Sequence, residues 1–444
     1  MNGSNEIIDE QRLTRLADTG GEHMKKLTVI AVAVAAIMLF AIPAMYYMNN
    51  TDLNDQTGAS RAFMDMRFRL QTVFKVSDNL SVTTRFDALD NKQWGTGDTV
   101  GTASNIDWDR AYLTAKFDLF DLYVGRMSAG TYGLVFNDSG TEADRIKLVK
   151  VIDPITVMAI YQKTTEQDSA TGYPEVADSD ADAYYLSVQY KQEGLEAGLL
   201  TAYINDKTNS DISNTDTLSG QSTSVSYDQK YWQFCPYFKA TFGPVYLEGE
   251  LGYKTGKYQD YYDSARNDID WDAMSYYLYG NVSLGPAKVG LGYAFAEGDG
   301  NANDKENNAY GYAVDWEPLL ILTGATNDAT LGGVSNLNGG NATAAATNCG
   351  FKIGFLTAEF SPMENVTLNA IAAKATADET GRTANMDDDY GWEYDVGCKV
   401  QLMDNLTYQI IYGFLDAGDL WKQGVAGATV DNTWSLFHKL EVTF

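Results

Sequence analysis

Histidine, cysteine and proline are scarce in this chain, at two, three and eight of 444 residues. His23 lies in a polar N-terminal stretch, and His438 falls on the outward parity of the last alternating segment. Neither could act as the base of a Ser-His or Asp-His hydrolase, so catalysis is not expected. Cys235, Cys349 and Cys398 are odd in number, widely spaced, and each expected in a strand. That pattern encodes no disulfide framework, and without C-x-x-C-H or paired C-x-x-C there is no covalent haem or zinc ribbon. No cofactor is expected. Basic residues are also few, 32 against 60 acidic ones, for a net charge of −28. A chain without a basic face has no means of holding phosphates, which excludes nucleic acid as a partner. Long apolar runs are lacking too. Leu27–Met45 is the single exception, and a mean hydropathy of −0.28 is too polar for a helical membrane protein.

That one run reads as a leader. Residues 1–23 are polar and match nothing downstream. Met24-Lys25-Lys26 is a basic start, Leu27–Met45 an apolar core, and Ala41-Ile42-Pro43-Ala44 a poor cleavage region with Ile42 where a small residue is preferred. A secretory signal peptide over 24–45 follows, with an uncleaved membrane helix as the alternative on length.

What is abundant is aromatic and turn-forming: 29 Tyr, 40 Gly and 12% aromatics overall. From residue 62 onward the chain alternates with period two, the signature of half-buried strands. Met64-Asp65-Met66-Arg67-Phe68-Arg69-Leu70-Gln71 is the clearest case. Leu80–Ala88, Val245–Leu251, Trp392–Val396 and Leu406–Phe414 repeat it. The connections alternate short and long. Short ones are Ser77-Asp78-Asn79, Ile152-Asp153-Pro154, Gln192-Glu193-Gly194, Phe242-Gly243-Pro244, Leu284-Gly285-Pro286, Ser361–Asn365 and Met403-Asp404-Asn405. Long ones run through about 90–105, 127–144, 163–182, 205–228, 254–270, 297–348, 375–389 and 416–432. One trim end and one ragged end is the asymmetry of a barrel with periplasmic turns and extracellular loops. The count is about seventeen strands, and even parity is restored if Met45–Asn50 ends a first strand. The expected fold is therefore all-β: a transmembrane antiparallel barrel of about eighteen strands, with sixteen as the alternative, over residues 46–444. That first strand would begin inside the expected leader.

Three places resemble the Gram-negative outer-membrane porin superfamily, and more loosely the porins of sulfate- and metal-reducing anaerobes. Arg67–Asp87 looks like the second and third strands of general porins. Tyr123-Val124-Gly125-Arg126 and the segment to Asp144-Arg145 look like the strand entering an inward-folded loop, 127–144. The ending Trp434–Phe444, with Phe444, Val442, Leu440 and Leu436 on alternate positions, resembles the signal read by the barrel assembly machinery. The resemblance implies a bacterial outer-membrane location, lipid and lipopolysaccharide neighbours, and a homotrimer.

Candidate functional residues follow from charge placement. Arginine clusters in the first third of the chain, where Arg67, Arg69 and Arg85 share the polar parity. At mid-depth a charge facing lipid costs roughly 2–4 kcal/mol, so these should face the lumen. The resemblance implies an arginine wall opposed by acids of the inward loop. The expected constriction comprises Arg67, Arg69, Arg85, Arg110, Arg126, Asp138, Glu142 and Asp144. Acidic loop residues Glu166, Asp168, Glu175, Asp178, Asp180 and Asp182 would attract cations to the rim. Asp299, Asn301 and Asn303 have calcium-like spacing but no closing Glu. The function expected is passive diffusion of small hydrophilic solutes and ions. An oxyanion-preferring channel is the specific variant. A sheath for a partner such as a multihaem cytochrome, or a surface interaction protein, is the alternative class. A gated transporter is not expected, because no plug domain fits before residue 46.

Overall fold

Strands that alternate apolar and polar residues can lie in a bilayer only if every backbone edge is paired, which forces closure. The computed structural model describes residues 33–49, 53, 60–89, 94–95, 106–130, 132–137, 141–167, 179–210, 226–311, 316–324 and 348–443. Eighteen antiparallel strands close into one barrel. They are β1 (Ala33–Asn49), β2 (Arg61–Ser77), β3 (Leu80–Ala88), β4 (Ile106–Lys116), β5 (Asp121–Ser128) and β6 (Glu142–Ile152). Next come β7 (Ile155–Thr165), β8 (Ala181–Gln192), β9 (Leu195–Asp206), β10 (Tyr227–Phe242), β11 (Val245–Tyr261), β12 (Ile269–Leu284) and β13 (Ala287–Ala296). After a two-residue segment β14 (Glu306–Asn307), β15 (Phe351–Met363), β16 (Val366–Thr376), β17 (Asp389–Met403), β18 (Leu406–Ala417) and β19 (Thr433–Thr443) complete the ring. β14 lies parallel to β12 and is not a wall strand, because β13 pairs directly with β15.

β1 closes the ring, pairing with β2 on one side and β19 on the other. Val442 sits opposite Phe40, and Leu440 opposite Ile42. Phe444 lies outside the described residues. Residues 33–45, which the sequence suggests as the end of a leader, are here part of β1; 24–32 lie outside the described residues. Short apolar residues suit a leader or a strand equally well. In this fold they supply the partner that β2 and β19 both need.

Eight short turns lie at one end, the seven expected and a further one at 117–120 between β4 and β5. Gly243-Pro244 and Gly285-Pro286 are two-residue hairpin loops. Gly243 has φ +59° and Gly285 φ +65°, each followed by a proline with its fixed negative φ, the sign pattern of a type II′ turn. The strand ends that the long connections join lie at the opposite end. Cys235 and Cys398 are in strands as expected, but Cys349 sits just before β15.

The outer face is apolar. Trp108, Leu186, Leu278, Leu291, Leu356 and Val396 are each more than half exposed to the surroundings. Tyr161, Tyr184, Tyr203 and Trp232 are register partners on β7, β8, β9 and β10 and touch in sequence, forming part of an interfacial aromatic girdle. Closure and this belt together place the chain in a bacterial outer membrane.

Candidate functional site: a divided lumen

The wall formed by β2, β3 and β4 carries the arginines inward. Met66 and Phe68 take the lipid side and Arg67 and Arg69 the lumen side, as period two requires. Arg69 binds Asp87 bidentately, Nε to Oδ1 and Nη2 to Oδ2, both at 2.7 Å. Arg67 adds a contact to Asp87 at 3.6 Å. Arg85 donates to Asp109 at 3.0 Å and also to Glu142, and Arg110 approaches Glu142 at 3.3 Å. Alternation alone would put Asp109 and Arg110 on opposite faces. A bulge in the β3–β4 register, between Arg85/Arg110 and Phe86/Trp108, lets both reach the cluster.

This arrangement departs from the expected one in two ways. The acids that neutralise the arginines come from the same wall, Asp87 and Asp109, and from Glu142, the first residue of β6 rather than part of a loop. Neighbouring strands place opposite charges within reach, whereas a loop across the pore must be brought there. Second, Arg126 and Asp144 do not join the lumen cluster. They pair with each other at 3.1 Å, about half exposed, on the same outward parity as Val124 and Ile146. Their register neighbours Met127 and Ala143 take the buried inward side. Asp138 lies outside the described residues.

Within the connection between β5 and β6, the described residues 132–137 fold inward. Arg145 pins its base: Nε binds Gln162 at 2.7 Å and Nη1 binds the Ala129 carbonyl at 2.9 Å. The loop then crosses to the wall of β10, β11 and β12. Tyr132 donates its hydroxyl to the Cys235 carbonyl at 2.9 Å. The Glu250 carboxylate accepts two loop amides, Leu134 N–H at 3.1 Å and Asn137 N–H at 3.0 Å. Ser275 donates to the Asn137 side-chain oxygen at 3.2 Å. Burial pushes the Tyr132 phenol well above its ordinary range, which keeps it a donor.

A second segment also folds inward, and sequence reasoning missed it. Residues 316–323, within a connection expected to be wholly extracellular, lie inside the barrel. Leu319, Leu320, Ile321 and Leu322 are each at most 4% exposed. Their seat is the inward face of β15 and β16: Phe351, Ile353, Ile371, Ala373 and Ala375. Burial of each such Leu or Ile contributes about 1.5–3 kcal/mol relative to exposure. Glu393 accepts Ile321 N–H at 2.6 Å and Leu322 N–H at 2.7 Å, and Asp395 accepts Leu320 N–H at 2.9 Å. The signal that could have revealed this segment is that the lumen-side positions Phe351, Ile353, Phe355, Ile371, Ala373 and Ala375 of β15 and β16 are all apolar. A strand wetted on its lumen side has no reason to be so.

The two segments meet. Phe136 is fully buried, edge-on to Trp316 at 5.1 Å and stacked on Tyr277 at 5.6 Å. Together they divide the lumen, filling the side toward β10–β12 and β15–β18, while on the arginine side the Arg67 and Arg69 side chains stay 39% and 22% exposed.

The calcium-like residues serve other ends. Asp299 is ion-paired with Arg382, its Oδ1 accepts Asn301 N–H at 3.0 Å, and Asn301 in turn accepts Asn303 N–H at 3.1 Å. These are successive Asx turns. Among the described residues no group of three or more His, Cys, Asp or Glu side chains could hold a metal. Of the rim acids, Glu166, Asp180 and Asp182 surround Lys163. Asp168, Glu175 and Asp178 lie outside the described residues.

No family model matches the sequence, and no curated protein does. Solved structures do match in fold. OccK8 (OprE) of Pseudomonas aeruginosa superposes with a TM-score of 0.52 at 12% identity, covering 93% of this chain and 98% of that one. The outer membrane protein opdK of Pseudomonas aeruginosa gives 0.50 at 13% identity, covering 92% and 99%. The chain thus has the fold of outer-membrane porins over nearly its whole length.

Proposed function

We propose that this protein is a diffusion porin whose water-filled path runs along the β2–β4 wall, past Arg67, Arg69, Asp87, Arg85, Asp109, Arg110 and Glu142. The observation that carries the reading is the division of the lumen: loop 129–137 and segment 316–323 fill one side, while a charged, partly hydrated wall lines the other. Four guanidinium groups stand against three carboxylates there, so the path is polar and nearly balanced in charge. That balance argues against a strong oxyanion preference. A sheath around a cytochrome needs an open bore, and the two inward segments occupy this one.

Selectivity then has two sources. The acidic rim raises the cation concentration at the mouth within about 8–10 Å at physiological ionic strength. Arginines in the narrow part oppose it and are less screened. Planar-bilayer recordings of refolded protein should give ohmic channels with modest cation preference at low salt, weakening as salt rises. Folded, heat-modifiable protein that carries no current would overturn the reading.

A further inference from the structure

The two inward segments are held in the same way. Each presents two backbone N–H groups to a single buried glutamate on a wall strand. Glu250 on β11, 4% exposed, takes Leu134 and Asn137; Glu393 on β17, fully buried, takes Ile321 and Leu322. A carboxyl group offers two acceptor oxygens to two N–H groups, and bonds to it are charge-assisted where it is ionised. Every residue but proline carries a main-chain N–H, so such a grip fixes the position of the loop backbone with little regard to its side chains.

We infer that Glu250 and Glu393 are positioning residues that hold a composite divider, joined at the Phe136–Trp316 contact, and so set the width of the proposed path. This inference rests on the porin reading for its conductance consequence, though not for its structural one. The two grips carry unequal shares. Segment 316–323 is also retained by Asp395, which accepts Leu320 N–H, and by four buried aliphatic side chains, whereas the described residues of the 129–137 loop add buried Tyr132, Leu134 and Phe136 and the Tyr132–Cys235 and Ser275–Asn137 bonds. Loss of the Glu250 grip should therefore move its loop further than loss of the Glu393 grip moves its segment.

The molecule carries a reporter. Cys235 is 2% exposed beneath the loop, its carbonyl bonded by Tyr132 and its sulfur contacted by Gln233 Nε2 at 3.3 Å. In a Cys349→Ser, Cys398→Ser background, a small water-soluble thiol reagent reads whether the loop covers it. Glu250→Gln replaces one acceptor oxygen with a donor that confronts a loop amide. Gly133→Ala attacks the same grip from the loop side, because a Cβ there would meet Glu250 Oε1 at 2.4 Å in a backbone already at φ +72°. The second variant leaves every wall strand unchanged, so it answers the objection that Glu250→Gln misfolds.

Both variants should raise Cys235 labelling by roughly tenfold or more, the change that loss of one charge-assisted hydrogen bond converts to, and both should raise single-channel conductance. Glu393→Gln should raise conductance less and leave Cys235 protected. Folded Glu250→Gln and Gly133→Ala proteins with wild-type labelling and conductance would overturn the inference. So would Cys235 exposure in Glu393→Gln as great as in Glu250→Gln, since that indicates general loosening. If wild-type protein carries no current the porin reading fails, while the labelling comparison still decides the two grips.

Discussion

The β2–β4 wall and the β15–β18 wall share one outer face and have opposite inner ones. Outward, both present apolar side chains to lipid: Phe68, Phe86 and Trp108 on the first, Leu356, Leu368 and Val396 on the second. Inward, the first wall carries Arg67, Arg69, Arg85, Asp87 and Thr83, while the second carries Phe351, Ile353, Ala373, Ala375 and Leu415, all buried. The inner face follows whatever fills the space beside it. Water favours ion-paired charges, and a folded-in segment favours small and aliphatic residues that leave it room. Ala373 and Ala375, like Ala294 and Ala296 on β13, are completely buried because the chain itself occupies the lumen against them.

The comparison is most exposed to test at Phe136, where the apolar side meets the loop. Phe136→Ala removes a fully buried ring and should cost about 3–5 kcal/mol. The midpoint of heat-induced loss of the compact electrophoretic form measures it, and an unchanged midpoint would show that the plugged side is not packed.

On the charged side, Asp87→Ala leaves Arg69 without its bidentate partner. Breaking a buried pair costs about 3–5 kcal/mol, less here because Arg69 keeps contact with water and with Asp109 at 3.7 Å. The sharper readout is the reversal potential in a salt gradient, which should move toward anions. Converting Arg67 and Arg69 together to Gln should move it the other way, toward cations, at every salt concentration. An unchanged reversal potential in that double variant would remove the arginines from the path.

Arg126→Gln and Asp144→Asn should do least. Both residues face outward only two positions from the long-connection ends of β5 and β6, away from mid-depth, so as an exposed pair their loss should change stability by no more than about 0.5–1 kcal/mol and leave selectivity unchanged. A selectivity shift from either would return this pair to the lumen and undo the division of the walls drawn above.

Much of the architecture is legible in the sequence. The alternation around Arg67 and Arg69 put those arginines inside, and the turn residues at Gly243 and Gly285 marked the trim end. Less of the site was legible. Charge alone groups Arg126 with the lumen arginines, yet its parity with Val124 turns it outward. Asp87 and Asp109 carry no sequence signal of their own, because their role depends on which strand lies beside which. Connection length places segment 316–323 in an extracellular loop, although its run of four aliphatic residues is unusual for an exposed connection.

Local chemistry by itself determined the strand period, the turn types and the lipid-facing belt, because each depends on residues one to four positions apart. Those features require closure, and closure made the barrel. The tertiary structure alone decided what lies inside it. The bulge that turns both Asp109 and Arg110 inward, the grip of Glu250 on a loop more than a hundred residues away, and the meeting of Phe136 with Trp316 all join positions remote in the chain. Such contacts carry no periodic signal. They exist only because a closed wall brings distant strands to face one another across a space that must be filled either by water or by the chain.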